Sequence, residues 1–281
     1  MRVHHLNCAS MRAPLHLLAG KPRRHPRSEH IVSHCLLLET DNSLVLVDTG
    51  IGLDAVADPQ TYLGAGFTRF QRPLLDPEET AIRQLRRLGY APEDVRHIVL
   101  THLDVDHAGG IADFPHAQIH LSGPELRAAT APKTRIDRVR YRQPLWAHGP
   151  DWVAHEPSRG ERWFGFEAVR PMNPSLGENI LLIPLEGHTR GHVGIAIDTG
   201  HGWLLHAGDA YLLHHEAHTS VATSNLALAL LTWAQGSAYR NNQARLRQLT
   251  TTHAQQVTVF CSHDPTEFHQ LHNRSTDTRP R

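Results

Sequence analysis

Residues 97–112, HIVLTHLDVDHAGGIA, constrain the fold more than any other stretch, because they run an apolar strand directly into a dense set of metal donors. Ile98, Val99 and Leu100 have the character of a buried strand, and His102, Asp104, Asp106 and His107 follow within six positions. Imidazoles and carboxylates gathered this closely are what a divalent ion requires. If extended geometry continues past Thr101, side chains 102, 104 and 106 share one side while Leu103 and Val105 take the other. His107 then needs a turn, which Gly109 and Gly110 permit. The plainer alternative is a polar loop with two satisfied histidines and two solvated aspartates.

The surrounding pattern predicts strands in two groups, each accompanied by helices. In the first group, IVSHCLLLET (31–40) and SLVLVDTG (43–50) read as a hairpin about Asp41 and Asn42, with Asp48 as a turn or capping carboxylate. Residues 51–75 have no clear period. Asp76, Pro77 and Glu79 open a helix carrying Ala81, Ile82, Leu85 and Leu88, which stops near Gly89. AQIHLS (117–122) is a further strand and GPELRAAT (123–130) a short helix. Residues 131–160 read as a surface insertion over a site, with Trp146 and Trp152 as packing anchors and a candidate homodimer contact in the Trp-rich 141–165 region.

The second group comprises WFGFEAV, ILLIPLEG, HVGIAID and GWLLHAG, then helices at 226–234 and 241–253, a last strand VTVFC (257–261) and a short helix in PTEFHQL. No composition break marks a linker, so residues 1–270 are expected to form one domain of two face-to-face sheets with helices outside, and 271–281 a disordered tail.

Composition narrows the partners. Lys plus Arg and Asp plus Glu each total 28, and no basic groove interleaved with aromatics is visible, so neither nucleic acid nor an anionic membrane is indicated. Cys8, Cys35 and Cys261 are too scattered for a disulfide framework or a thiolate cluster. With no signal-like N-terminus and no long apolar span, a cytoplasmic protein acting on a small molecule is expected. The chain has 24 histidines, and most read as surface residues, among them His16, His25, His30, His201, His253, His269 and His272.

Four strands deliver a histidine or aspartate at their C-terminal boundary. Besides the opening stretch, ILLIPLEG leads to His188, with His192 close behind; GWLLHAG leads to Asp209; VTVFC leads to His263 and Asp264. Convergence of four strand ends argues for a single metal centre at one edge of the sheets.

In this order and spacing, THLDVDHAGG, EGHTRGH, HAGDAY and CSHDP resemble the metal-binding signature of the metallo-β-lactamase-fold hydrolases, over roughly residues 31–265. The resemblance implies an α+β fold, a four-layer αββα sandwich of two mixed β-sheets. It implies a first metal on His102, Asp104 and His188, a second on Asp106, His107 and His263, and Asp209 as the bridge. His192 and Asp48 match supporting positions rather than ligands. One position departs from the HxHxDH pattern, since Asp104 stands where the family has its second histidine. Counting Asp104, Asp106, Asp209 and one hydroxide against two divalent ions gives net zero in place of plus one. Zinc is the family's usual ion, and the extra carboxylate opens the site to iron or manganese.

The reaction implied is hydrolysis of an ester-like bond by a hydroxide held between the two ions, with Asp106 orienting it and relaying a proton, and Tyr211 stabilising the oxyanion. Lactonase-like members are the most similar branch. A thioester hydrolase of the glyoxalase II type and a di-iron oxidoreductase are the alternatives, the latter disfavoured because no electron-carrier domain is evident.

Overall fold

The computed structural model describes residues 1–13, 30–40, 43–156, 161–171, 179–218 and 236–277. The helix expected over 226–234 and residues 278–281 of the expected tail lie outside them.

Among the described residues, twelve strands form two six-stranded sheets. The first contains β1 (Arg2–Met11), β2 (Ile31–Glu39), β3 (Leu44–Val47), β4 (Val95–Val99), β5 (Gln118–Ser122) and β6 (Asp151–His155), hydrogen-bonded in chain order. β1, β2 and β3 run antiparallel, and β3 to β6 run parallel. The second contains β7 (Glu161–Trp163), β8 (Phe166–Pro171), β9 (Ile180–Pro184), β10 (Val193–Asp198), β11 (Trp203–His206) and β12 (Val257–Phe260). It is antiparallel apart from the parallel β11–β12 pair.

Alternation along β2 shows how the layers arise. Leu36 and Leu38 enter the layer between the sheets with Val45, Val47, Val99, Leu182, Ile195 and Phe260. Cys35 and Leu37 face the other way, toward Ile82, Leu85 and Ala128 on outer helices. On the far side, Leu181, Ile183, Leu205 and Val257 of the second sheet pack against Leu246 and Leu249 of the helix Gly236–Thr252. Helices therefore cover both outer faces, and the expected αββα sandwich is the observed fold.

Several local expectations need correction. Residues 131–160 are not simply an insertion: β6 extends the first sheet at its edge, and the helix Arg135–Arg140 precedes it. Trp146 and Trp152 meet edge to face and pack on the first sheet's outer core, as anchors should. The C-terminal segment is helical over Pro265–Asp277, with Leu271 buried between the sheets, so residues 271–277 are not a disordered tail. The helix after Asp76 is divided into a 3-10 turn at Pro77–Glu79 and an α-helix at Ala81–Arg87.

Among the described residues, His201 and His269 are exposed as expected, but many other histidines are not on the surface. His5, His34, His97, His120, His192 and His206 are all buried. Imidazoles pair across neighbouring strands, as in His97–His120–His155 at 3.0 and 3.1 Å. Burial disfavours the charged form of His5 and His120, pushing both down to about 3, so a buried imidazole serves as a small polar side chain whose ring nitrogens need partners.

Candidate metal centre

Every strand that approaches the centre stops short of it and hands over to a tight loop. After β4, Leu100 N donates to His120 O and Val193 N donates to Thr101 O, which ties the loop to the second sheet. The turn that brings in Asp106 and His107 comes earlier than the glycine pair. It is the single helical turn Val105–Ala108, with Asp104 at its N-cap. Gly109 instead permits close approach, since a Cβ there would lie 2.7 Å from Gly50 O.

The donor atoms assemble into three overlapping trios, His102–Asp104–His188, Asp106–His107–His263 and His102–His107–Asp209, each with its ligand atoms within 4.8 Å of one another. These are the seven positions read from the sequence. Asp209 reaches into both halves: Oδ1 lies 3.3 Å from His107 Nε2, and Oδ2 lies 3.1 Å from His263 Nε2 and 3.4 Å from His188 Nε2. Asp104 and His188 are half-buried while the other five are buried, so the centre is most accessible on the side of the first trio.

Tautomers follow from the partners. His107 Nδ1 donates to Asp48 Oδ2 (2.9 Å), and His263 Nδ1 donates to Val32 O (2.7 Å). Thr101 Oγ1 donates to Asp48 Oδ2 (2.8 Å) and accepts from His102 Nδ1 (3.0 Å). In each neutral ring the lone pair is therefore on Nε2, facing the centre. His102 Nε2, His107 Nε2 and Asp209 Oδ1 are buried without hydrogen-bond partners. Orphaned acceptors converging on one point, on imidazoles and carboxylates, fit a divalent metal pair.

His192 has no such freedom. Its Nδ1 donates to Leu185 O and its Nε2 accepts from Asp209 N, both at 2.9 Å, so both ring nitrogens are engaged and the ring positions the Asp209 backbone. Gly208 makes room for it: its φ is +56°, and a Cβ there would sit 2.5 Å from His192 Nε2.

Electrostatics bind the cluster together. Burial opposes ionisation of Asp209, yet His263, His107 and His188 hold its carboxyl well below the usual carboxylate range. Burial likewise opposes ionisation of Asp104, which Arg140 and His102 hold well below that range. Desolvation would neutralise His263, but Asp209 and Asp106 raise it to about 9.

Two residues at this centre were not read from the sequence. Arg140 Nε lies 3.4 Å from Asp104 Oδ1, and its Nη1 donates to His188 O at 2.6 Å. Buried Glu125 accepts from Leu103 N (3.0 Å), Thr189 Oγ1 (2.7 Å) and Gly191 N (3.1 Å), clamping the 102–107 loop to the 188–192 loop. Tyr211 corrects another expectation. It is buried, and its hydroxyl donates to Glu267 Oε1 at 2.9 Å, which makes it a core residue rather than an oxyanion donor.

The family model for the metallo-beta-lactamase superfamily matches residues 30–254. This chain belongs to that superfamily. Among its relatives in the superfamily, a probable metallo-hydrolase of Mycobacterium tuberculosis (strain ATCC 25618 / H37Rv) is 41% identical over 278 residues, covering 96% of this chain and 82% of the relative. An N-acyl homoserine lactonase of Bacillus cereus is 37% identical over 95 residues, 34% of this chain and 38% of its own. Among solved superfamily structures, an N-acyl homoserine lactone hydrolase with N-hexanoyl-L-homoserine at its catalytic metal centre aligns with a TM-score of 0.68 at 21% identity, covering 96% of this chain and 95% of that one. The two share the sandwich fold.

Proposed function

We propose that this metallo-beta-lactamase superfamily member hydrolyses an ester-like bond of a small molecule, a lactone ring before other candidates, at a centre of two divalent ions. The observation that carries this reading is the convergence of imidazole and carboxylate donors from four strand ends on one point, where His102 Nε2, His107 Nε2 and Asp209 Oδ1 are buried without hydrogen-bond partners. His102, Asp104 and His188 would hold one ion, Asp106, His107 and His263 the other, with Asp209 between them. Such ions would supply Lewis acidity and lower the pKa of a bound water to about 7.

The chain's own groups do the rest. Asp106 Oδ2 lies 3.7 Å from His263 Nε2, and its buried carboxylate is placed to accept a proton and return it to a leaving alkoxide. Glu125 and His192 fix the loops, so that the reacting bond meets a preorganised site. Support for a lactone comes from the Bacillus cereus lactonase and from the product-bound lactone hydrolase structure. The helix that carries Arg140 also exposes the apolar side chains of Ile136 and Val139, a surface that an acyl chain could use.

Zinc is the first expectation for the ions, with iron or manganese admitted by the oxygen donor Asp104. Three free, buried cysteines fit the proposed cytoplasmic location.

A panel of acyl-lactone, thioester, phosphodiester and β-lactam substrates tests the reading on metal-reconstituted protein. Lactone turnover should dominate and fall roughly 10²–10⁴-fold in Asp106→Asn. Thioester turnover exceeding lactone turnover would instead assign the bond class of glyoxalase II. No turnover above the variant's rate on any substrate rules out the hydrolase reading.

A further inference from the structure

We infer that Asp104 and Arg140 act as one unit in place of the family's second histidine, with the guanidinium as the fixed counter-charge that lets a carboxylate ligate the first metal without changing the charge of the centre. The inference rests on the two-metal reading above.

Asp104 divides its oxygens between two tasks. Oδ2 faces the ligand trio, 3.0 Å from His188 Nε2 and 3.4 Å from His102 Nε2. Oδ1 is turned to Arg140 Nε at 3.4 Å. The guanidinium is anchored by a second contact, from Nη1 to His188 O, so it touches two of the three members of that trio. Arg140 is only about a quarter exposed, which limits screening of its charge by water. A guanidinium remains charged at any working pH.

The charge count then changes. Two divalent ions facing Asp104, Asp106, Asp209 and a hydroxide sum to zero, and Arg140 restores the plus one of a centre with histidine in this position. A neutral imidazole would give Arg140 no counter-charge, and two dications beside it would repel it. The two positions are thus predicted to be coupled in sign as well as in size.

The test measures metal stoichiometry by elemental analysis, and affinity for the second equivalent of zinc or manganese by chelator competition. Wild type is compared with Asp104→His, Arg140→Gln and the double variant, with circular dichroism as the folding control. Arg140→Gln keeps a donor for the His188 carbonyl while removing the charge. Asp104→His alone should weaken the second equivalent by roughly tenfold or more, and adding Arg140→Gln should recover most of the loss. If Asp104→His fails to fold, Arg140→Gln alone still decides the matter, because loss of a counter-charge tightens the ion whereas loss of a purely structural strut weakens it. A double variant no better than Asp104→His, or weakened binding in Arg140→Gln alone, overturns the pairing. Fewer than two ions on wild type overturns the two-metal reading and the pairing with it.

Discussion

His263 shows how strongly single residues at the centre depend on one another. Its imidazole is buried, which disfavours the cation, yet Asp209 and Asp106 raise it to about 9 from an ordinary 6.5. A group whose pKa is higher in the fold contributes stability that is complete below the unfolded pKa and disappears as pH climbs through the folded one. Chelator-treated protein should therefore lose thermal stability between about pH 6.5 and 9, and His263→Asn should flatten that slope. A metal must displace the same proton, so zinc uptake at neutral pH should release protons, measurable by titration calorimetry in buffers of different ionisation enthalpy. Stability of the chelated protein that rises across this window would contradict the assignment. Tyr211 makes the complementary point. Its place two residues after Asp209 suggests catalysis, but burial and the bond to Glu267 commit its hydroxyl to the core.

At the scale of elements, the ligand-bearing loops are held by groups outside the ligand set. Glu125, in the first turn of the helix Gly123–Thr130, satisfies three donors from two loops that carry ligands of the first trio. Removing a buried acceptor leaves its donors unsatisfied, so Glu125→Ala should destabilise the protein by about 3 kcal/mol in denaturant unfolding. Because His188 loses its anchored loop, metal affinity should fall roughly 10–100-fold as well. Unchanged zinc stoichiometry and affinity in this variant would show that the loops hold their positions without the clamp. In sequence, Glu125 resembles any acidic residue of a helix N-terminal turn. Only its burial and the approach of residues 189–191 reveal its role.

Across the whole molecule, the centre joins the two sheets. His102, Asp104, Asp106 and His107 follow β4 of the first sheet, whereas His188, Asp209 and His263 follow β9, β11 and β12 of the second. Bound ions should therefore stabilise the packing of one sheet on the other as well as a local loop. At a thousandfold excess over Kd such linkage amounts to about 4 kcal/mol, so chelation should lower Tm by roughly 10 °C. Differential scanning calorimetry with and without chelator checks this, and an unchanged Tm would show that the ions do not couple the sheets. Arg140 lies at the same scale. It comes from the segment between β5 and β6, which the sequence presents as an insertion, and it meets Asp104, 36 positions earlier.

The amino-acid sequence alone outlined the two-sheet sandwich and flagged the donors at the strand ends, while the resemblance to the metallo-β-lactamase-fold hydrolases picked His102, Asp104, Asp106, His107, His188, Asp209 and His263 from among them. Those signals are local: an apolar run ends, a tight turn follows, and a donor stands at the boundary, so neighbouring residues carry the information. The strand β1 was not legible, because His4, His5, Asn7 and Ser10 hide its period and only pairing with β2 covers its backbone. The contact of Arg140 with Asp104, the clamp at Glu125 and the withdrawal of Tyr211 were decided by tertiary structure. Each depends on which distant group meets a buried charge or hydroxyl, and the requirement that buried polar atoms find partners is met across the fold rather than along the chain.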